Sequence, residues 1–236
     1  MANLIKRSRP SRTSDGATDF SLRHSGYGEP YSMPFSSRVA ADEGSYRILR
    51  NATAGTGVAG HAAPTTMDNT KPFILLQNGS TDARIYLDYI RLYVTAAGTA
   101  GTLNYATHLL DPGAGYTSGG EDLTPVNPNG EFGAVSALTQ YKNGAVVATA
   151  GGAQRIVSTT AVRTVIPVVG DNILFTFEGL TRAGAGMPLE GTLQLEKIIQ
   201  CPPIIIAPTW FYKLVLWRAS QTAAASYETE IGFWER

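Results

Sequence analysis

From about residue 71 onward, short apolar runs alternate with Gly, Pro and Asn turns, and the cleanest alternation lies at the C-terminus. In Tyr227-Glu-Thr-Glu-Ile-Gly-Phe-Trp-Glu-Arg236, Tyr227, Thr229, Ile231 and Phe233 share one parity, while Glu228, Glu230 and Trp234 share the other. That period of two marks a half-buried β-strand. A second run, Trp210-Phe-Tyr-Lys-Leu-Val-Leu-Trp217, precedes it, and the three tryptophans of the chain all fall within these two runs. Much of the aromatic packing is therefore closed by the last residues of the sequence.

The same reading predicts strands at Pro72–Leu76, Ala83–Val94, Thr102–Leu110, Ile156–Pro167, Asn172–Phe177, Gly191–Glu196 and Ile204–Ile206. In the Ala83–Val94 run, the aliphatic parity changes between Ile85/Leu87 and Ile90/Leu92/Val94, which predicts a β-bulge near Asp88-Tyr89. Ala134–Tyr141 and Ala145–Thr149 flank Lys142-Asn-Gly144, where Asn-Gly predicts a two-residue hairpin turn. Asp111 to Gly130 reads as a long turn-rich insertion. About ten strands with no amphipathic helical run predict an all-β chain. The expected body, residues 71–236, is an antiparallel β-sandwich or jelly-roll-like fold, and parallel α/β architectures lack the helices they need for crossovers.

Residues 1–70 read differently. Pro10, Pro30, Pro34 and Pro64 interrupt a text rich in Gly, Ser and Tyr, which disfavours helices and central strands. Yet Phe20, Tyr27, Tyr31, Phe35, Tyr46 and Ile48 are too many large apolar groups for a free linker. An extended, mostly irregular N-terminal arm that docks on a body satisfies both facts. The expected partner-binding residues are the basic start, Lys6, Arg7, Arg9 and Arg12, and the aromatics Tyr27, Tyr31 and Phe35. This reading also expects residues 1–50 to be dispensable for folding of the body.

Composition narrows the function classes. The formal net charge is zero and only 16% of residues are charged, below the roughly 25% of ordinary domains. Such a surface is built from small polar residues or is covered by partners, and it lacks the basic excess of a dedicated nucleic-acid binder. Cys201 is the single cysteine, so no internal disulfide forms, and it reads as a small buried hydrophobe. No apolar h-region opens the chain and no run has the length of a membrane span, which predicts a protein made in a cytoplasm.

Candidate chemistry is sparse. His24, His61 and His108 have no metal-ligand spacing, and no nucleophile elbow is present. Asp111, Glu121, Asp122, Glu131 and Asp171 read as loop acids rather than as the facing pair of a glycosidase. The glycine runs at 98–101 and 184–186 lack the Lys-Ser/Thr of a phosphate loop. No catalytic residue, metal or cofactor is expected. Tryptophan faces at the C-terminus raise a sugar-stacking alternative to plain core packing.

The stretches Leu92-Tyr-Val-Thr-Ala-Ala-Gly-Thr-Ala-Gly-Thr102, Tyr116-Thr-Ser-Gly-Gly-Glu-Asp-Leu-Thr-Pro-Val-Asn-Pro-Asn129, Val165-Ile-Pro-Val-Val-Gly-Asp171 and Ser226–Arg236 resemble virion proteins of tailed bacteriophages, over about residues 70 to 236. The resemblance implies a non-enzymatic structural protein on the capsid surface, of the cement or decoration type. Its implied partners are the major capsid protein and copies of itself, as a homotrimer at three-fold positions; the balanced charge and the lack of a membrane-length apolar run argue separately against nucleic acid and membrane as partners. The alternative is a tail or tail-fibre component whose β domain binds a receptor glycan through the 111–129 segment and exposed aromatics.

Overall fold

The structure is a computed structural model that describes residues 40–61, 66–98, 104–113, 115–163, 168–177, 196–218 and 223–236. All of them belong to one unit, residues 37–236. Apart from a short helical turn at 40–42, regular structure among the described residues is all strand. In chain order these are β1 (Tyr46–Asn51), β2 (Val58–Ala59), β3 (Ile74–Asn78), β4 (Ile85–Ala96), β5 (Asn104–Asp111), β6 (Gly115–Val126) and β7 (Leu138–Thr149). They continue with β8 (Arg155–Arg163), β9 (Asn172–Thr176), β10 (Glu196–Gln200), β11 (Ile205–Ile206), β12 (Phe211–Arg218) and β13 (Ser226–Glu235).

One continuous pairing path, β10-β9-β4-β13-β1-β6-β7-β3-β12-β5-β8, curls on itself, with β11 beside β4 and β2 beside β13. Strand β6 makes the corner. Its Leu123–Val126 end pairs with β1, and its Gly115–Asp122 portion pairs with β7. The result is two sheets facing each other across one core. Leu49, Ile90, Leu92, Phe175, Ile231 and Phe233 come from the first sheet, and Ile74, Leu76, Tyr212 and Leu214 from the second. This is the all-β, sandwich-like body that the strand and turn spacing predicts. Pairing is antiparallel except between β9 and β10, which run parallel.

Two details of the sequence pattern find their physical cause here. Tyr227, Thr229, Ile231 and Phe233 point into the core, as their parity requires. Against them, β4 shifts register between Gly232↔Tyr89 and Phe233↔Leu87, leaving Asp88 as the extra residue of a bulge. The bulge lets both Leu87 and Ile90 face inward.

Other expectations are corrected. Asn143-Gly144 makes no hairpin, because β7 runs unbroken through it. Gly144 has φ 95°, and Gly119 and Gly120 on the facing strand have φ 73° and 69°. These left-handed residues sit where the β6/β7 register shifts, so glycine serves the bend that carries β6 from one sheet to the other. A side chain at Gly120 would overlap Val146 and the Asn143 carbonyl. The expected 111–130 insertion is correspondingly a strand over most of its length. The strands also number thirteen among the described residues, against about ten expected.

Of the stretch expected as an arm, residues 1–39 and 62–65 lie outside the described residues. The part that is described joins the sheet: β1 is paired on one edge with β13 and on the other with β6. Leu49 of β1 is fully buried in the core. Residues 46–50 are thus integral to the body's sheet rather than to an arm outside it.

Candidate binding surface at the N-terminal exit

The partner-binding residues expected from the sequence, Lys6, Arg7, Arg9, Arg12, Tyr27, Tyr31 and Phe35, lie outside the described residues, as does His24. Among the described residues, chemistry-bearing side chains gather in two sealed interior groups and one surface junction.

The first interior group centres on His108. The β5 parity that sends Ala106 and Leu110 toward the core sends His108 there too, with no exposed surface. Its Nδ1 lies 2.7 Å from Tyr212 Oη and its Nε2 3.6 Å from Cys201 Sγ. Phe175 and Phe177 meet the ring edge-on. Burial pulls the imidazole down to about 4 and pushes the Cys201 thiol up to about 11. A neutral imidazole beside a protonated thiol is the opposite of a nucleophilic dyad, which needs a thiolate. The group packs and hydrogen-bonds the sandwich interior.

The second interior group lies on the other face of the second sheet. Phe211 and Lys213 have the opposite parity to Tyr212 and Leu214, and Leu75, Val146, Ala148 and Phe211 form a separate apolar cluster. Lys213 Nζ donates to Asp111 Oδ2 at 3.1 Å, to the Thr149 carbonyl at 2.9 Å and to the Asn69 carbonyl at 3.2 Å. The backbone N–H groups of Gly113 and Gly151 donate to the two oxygens of Asp111. Burial alone would raise the Asp111 carboxyl. The Gly151 and Gly113 N–H groups and Lys213 outweigh it and hold the carboxyl below its usual range. All three ammonium protons are used, so this is a closed structural ion pair rather than a proton donor awaiting a substrate.

The other acids are dispersed. Asp122 pairs with Lys142 at 2.8 Å, Asp171 accepts from the Val168 N–H in a tight turn, and Glu131 is exposed on a loop. Among the described residues, no group of three or more His, Cys, Asp or Glu side chains could hold a metal ion. No helix among them is long and apolar enough to cross a membrane. The tryptophans do not make an open platform. Trp234 is buried and stacks on Tyr86 at 5.5 Å, Trp217 stacks on Tyr105 at 4.2 Å, and Trp210 lies under the Arg155 guanidinium.

The surface junction is where the chain enters the sheet. The 40–44 turn is tied to the 127–137 loop by three side chains. Asn127 Nδ2 donates to the Gly44 and Gly133 carbonyls. Asn129 Nδ2 donates to the Ala41 and Asp42 carbonyls. The buried Arg47 donates from Nε to the Val135 carbonyl at 3.0 Å, and from Nη1 to the carbonyls of Gly44 and Tyr46. The far end of the loop is pinned to the last strand, where Glu235 Oε1 accepts from Ser136 Oγ and the Ala137 N–H. Ala40 packs with Tyr46 and Trp234 on the outer side of the first sheet. Ala40, the first described residue, is therefore firmly anchored. Comparison of the chain with family models, curated proteins and solved structures finds no match.

Proposed function

We propose that this chain is a non-enzymatic structural protein of a tailed-phage virion, binding the capsid surface as a cement or decoration protein. In this reading, its β body contacts the major capsid protein and further copies of itself, and residues 1–39 act as a binding segment. The observation that carries the reading is the anchored exit. Six hydrogen bonds from Asn127, Asn129 and Arg47 reach the 40–44 turn and its flanking loop, and they pass any tension on the preceding segment into a doubly paired strand. A cementing protein needs that mechanical continuity; a catalyst does not. The low charge of the chain fits a surface given over to contacts, and the resemblance of residues 70–236 to phage virion proteins points the same way.

The test is co-sedimentation of the full chain with purified capsids, read together with the temperature at which the capsids rupture. Saturable binding that raises the rupture temperature supports the proposal. Absence of saturable binding, or binding confined to isolated tails, refutes it.

A further inference from the structure

We infer that the exposed face made by Asp42, Glu131, Phe132 and Val135 is the receiving site for the basic N-terminal segment (Lys6, Arg7, Arg9, Arg12) of a second copy of this chain. The inference deepens the proposed role of residues 1–39 as a binding segment, and it does not depend on a viral partner.

The four residues are brought together by the junction. Phe132 lies against Gly44, where an added side chain would overlap its ring. The Val135 carbonyl is held by the same Arg47 that holds the Gly44 carbonyl. Asn129 links the two acids, since its Nδ2 donates to the Asp42 carbonyl and its Oδ1 accepts from the Glu131 N–H. Phe132 is 44% exposed and Val135 85% exposed, the latter the highest value among the exposed large hydrophobics of the described residues. Such side chains on a hydrogen-bonded, preorganised loop lose little freedom on binding.

The chemistry of the face selects its occupant. An exposed aromatic ring at a junction that also carries exposed acids, Asp42 and Glu131, suits arginine and lysine, whose stems lie on apolar surface while their charges reach carboxylates. The cation within the junction, Arg47, is buried and committed to backbone carbonyls. The chain itself supplies a matching segment. With 19 basic and 19 acidic residues in all, the four cations of the first twelve residues leave the remainder at a net −4. The polypeptide is thus a basic segment joined to an acidic body, and two such chains attract head to tail.

Reach is sufficient. Twenty-seven residues separate Arg12 from Ala40, a contour length of up to about 90 Å at full extension. The body has a radius of gyration of about 16 Å. Individual exposed ion pairs contribute little, so one docked segment binds weakly. A closed ring in which every segment and every face is used gains from multivalency.

The experiment is sedimentation velocity of the full chain and two surface variants, each first checked for an unchanged melting temperature. Wild type is expected to associate, with association weakening steeply between about 50 and 500 mM NaCl. The face variant, Asp42→Lys with Glu131→Lys, is expected to associate at least tenfold more weakly. The segment variant, Lys6→Glu with Arg7→Glu, Arg9→Glu and Arg12→Glu, is expected to do the same. Mixing the two variants restores both kinds of contact between unlike chains and should recover association, at least as heterodimers or even-numbered rings. A monomeric wild type, as when the segment docks on its own body, overturns the inference. So does undiminished association of either variant, or a mixture that fails to reassemble. Recovery on mixing without capsid binding would leave this inference standing and remove the cement reading.

Discussion

Lys213 Nζ lies 3.1 Å from Asp111 Oδ2, with 0% and 1% of the two side chains exposed. Removing either partner strands the other charge in the interior, and Asp111→Ala also strands the Gly113 and Gly151 N–H groups. Asp111→Ala or Lys213→Ala should lower unfolding free energy by about 3–5 kcal/mol, read from urea denaturation. Lys213→Met combined with Asp111→Leu should cost less than the sum of the two alanine variants, because no lone charge remains.

The same carboxyl sets an acid limit on stability. Its folded value is depressed below the ordinary 3.8, so its contribution is full above that pH and is lost as pH falls through the folded value. Stability should therefore decline with acidity below about pH 4. Asp111→Asn should flatten that part of the curve.

His108 acts in a separate window. Its folded value is about 4 against 6.5 for the free group, so the unfolded chain takes up a proton that the core excludes. Stability should fall as pH drops from 6.5 toward 4, by roughly 3 kcal/mol at 1.4 kcal/mol per pH unit, and His108 should add no further slope below. His108→Gln should lower the plateau and remove this slope. A slope that persists in that variant would assign it to another group.

Cys201 is buried beside His108, and its thiol titrates at about 11. At neutral pH its reaction with an aromatic disulfide reagent should be on the order of a hundredfold slower in the native chain than in guanidinium. Comparable rates in the two states would contradict the sealed interior described for this group.

Gly232 lies beneath the Tyr89 ring and the Tyr46 hydroxyl, and an added methyl would overlap both. The two tyrosines are held by hydrogen bonds from Tyr46 Oη to Asp88 Oδ2 at 2.6 Å and from Tyr89 Oη to Glu230 Oε1 at 2.7 Å. Gly232→Ala should cost about 1–3 kcal/mol through overpacking. Truncation through residue 50 should abolish cooperative thermal unfolding, because it removes β1 from between β13 and β6.

Legibility in the sequence followed burial. β4 and β13 have one face in the core, so their parity could be read, down to the bulge at Asp88, whereas β12 is buried on both faces over 211–215 and shows only as an apolar run. β6 could not be read, because apart from Leu123 its residues are exposed or half-buried and it shows no apolar alternation. Its glycines looked like turns but serve a corner. β1 was hidden by the Gly- and Pro-rich text around it, although Tyr46, Ile48 and Leu49 carried an apolar signal. The junction was invisible for a different reason. Asn127 and Asn129 read as turn formers, and their amide targets lie 83 to 88 residues away in the chain.

The role proposed for this β body is to hold neighbouring subunits together on a phage head. Immunogold labelling of virions with an antibody raised against the full chain tests it most directly. Gold is expected over the head surface at regular, high copy number. Gold confined to the tail or its tip, or no gold on intact particles, would contradict it.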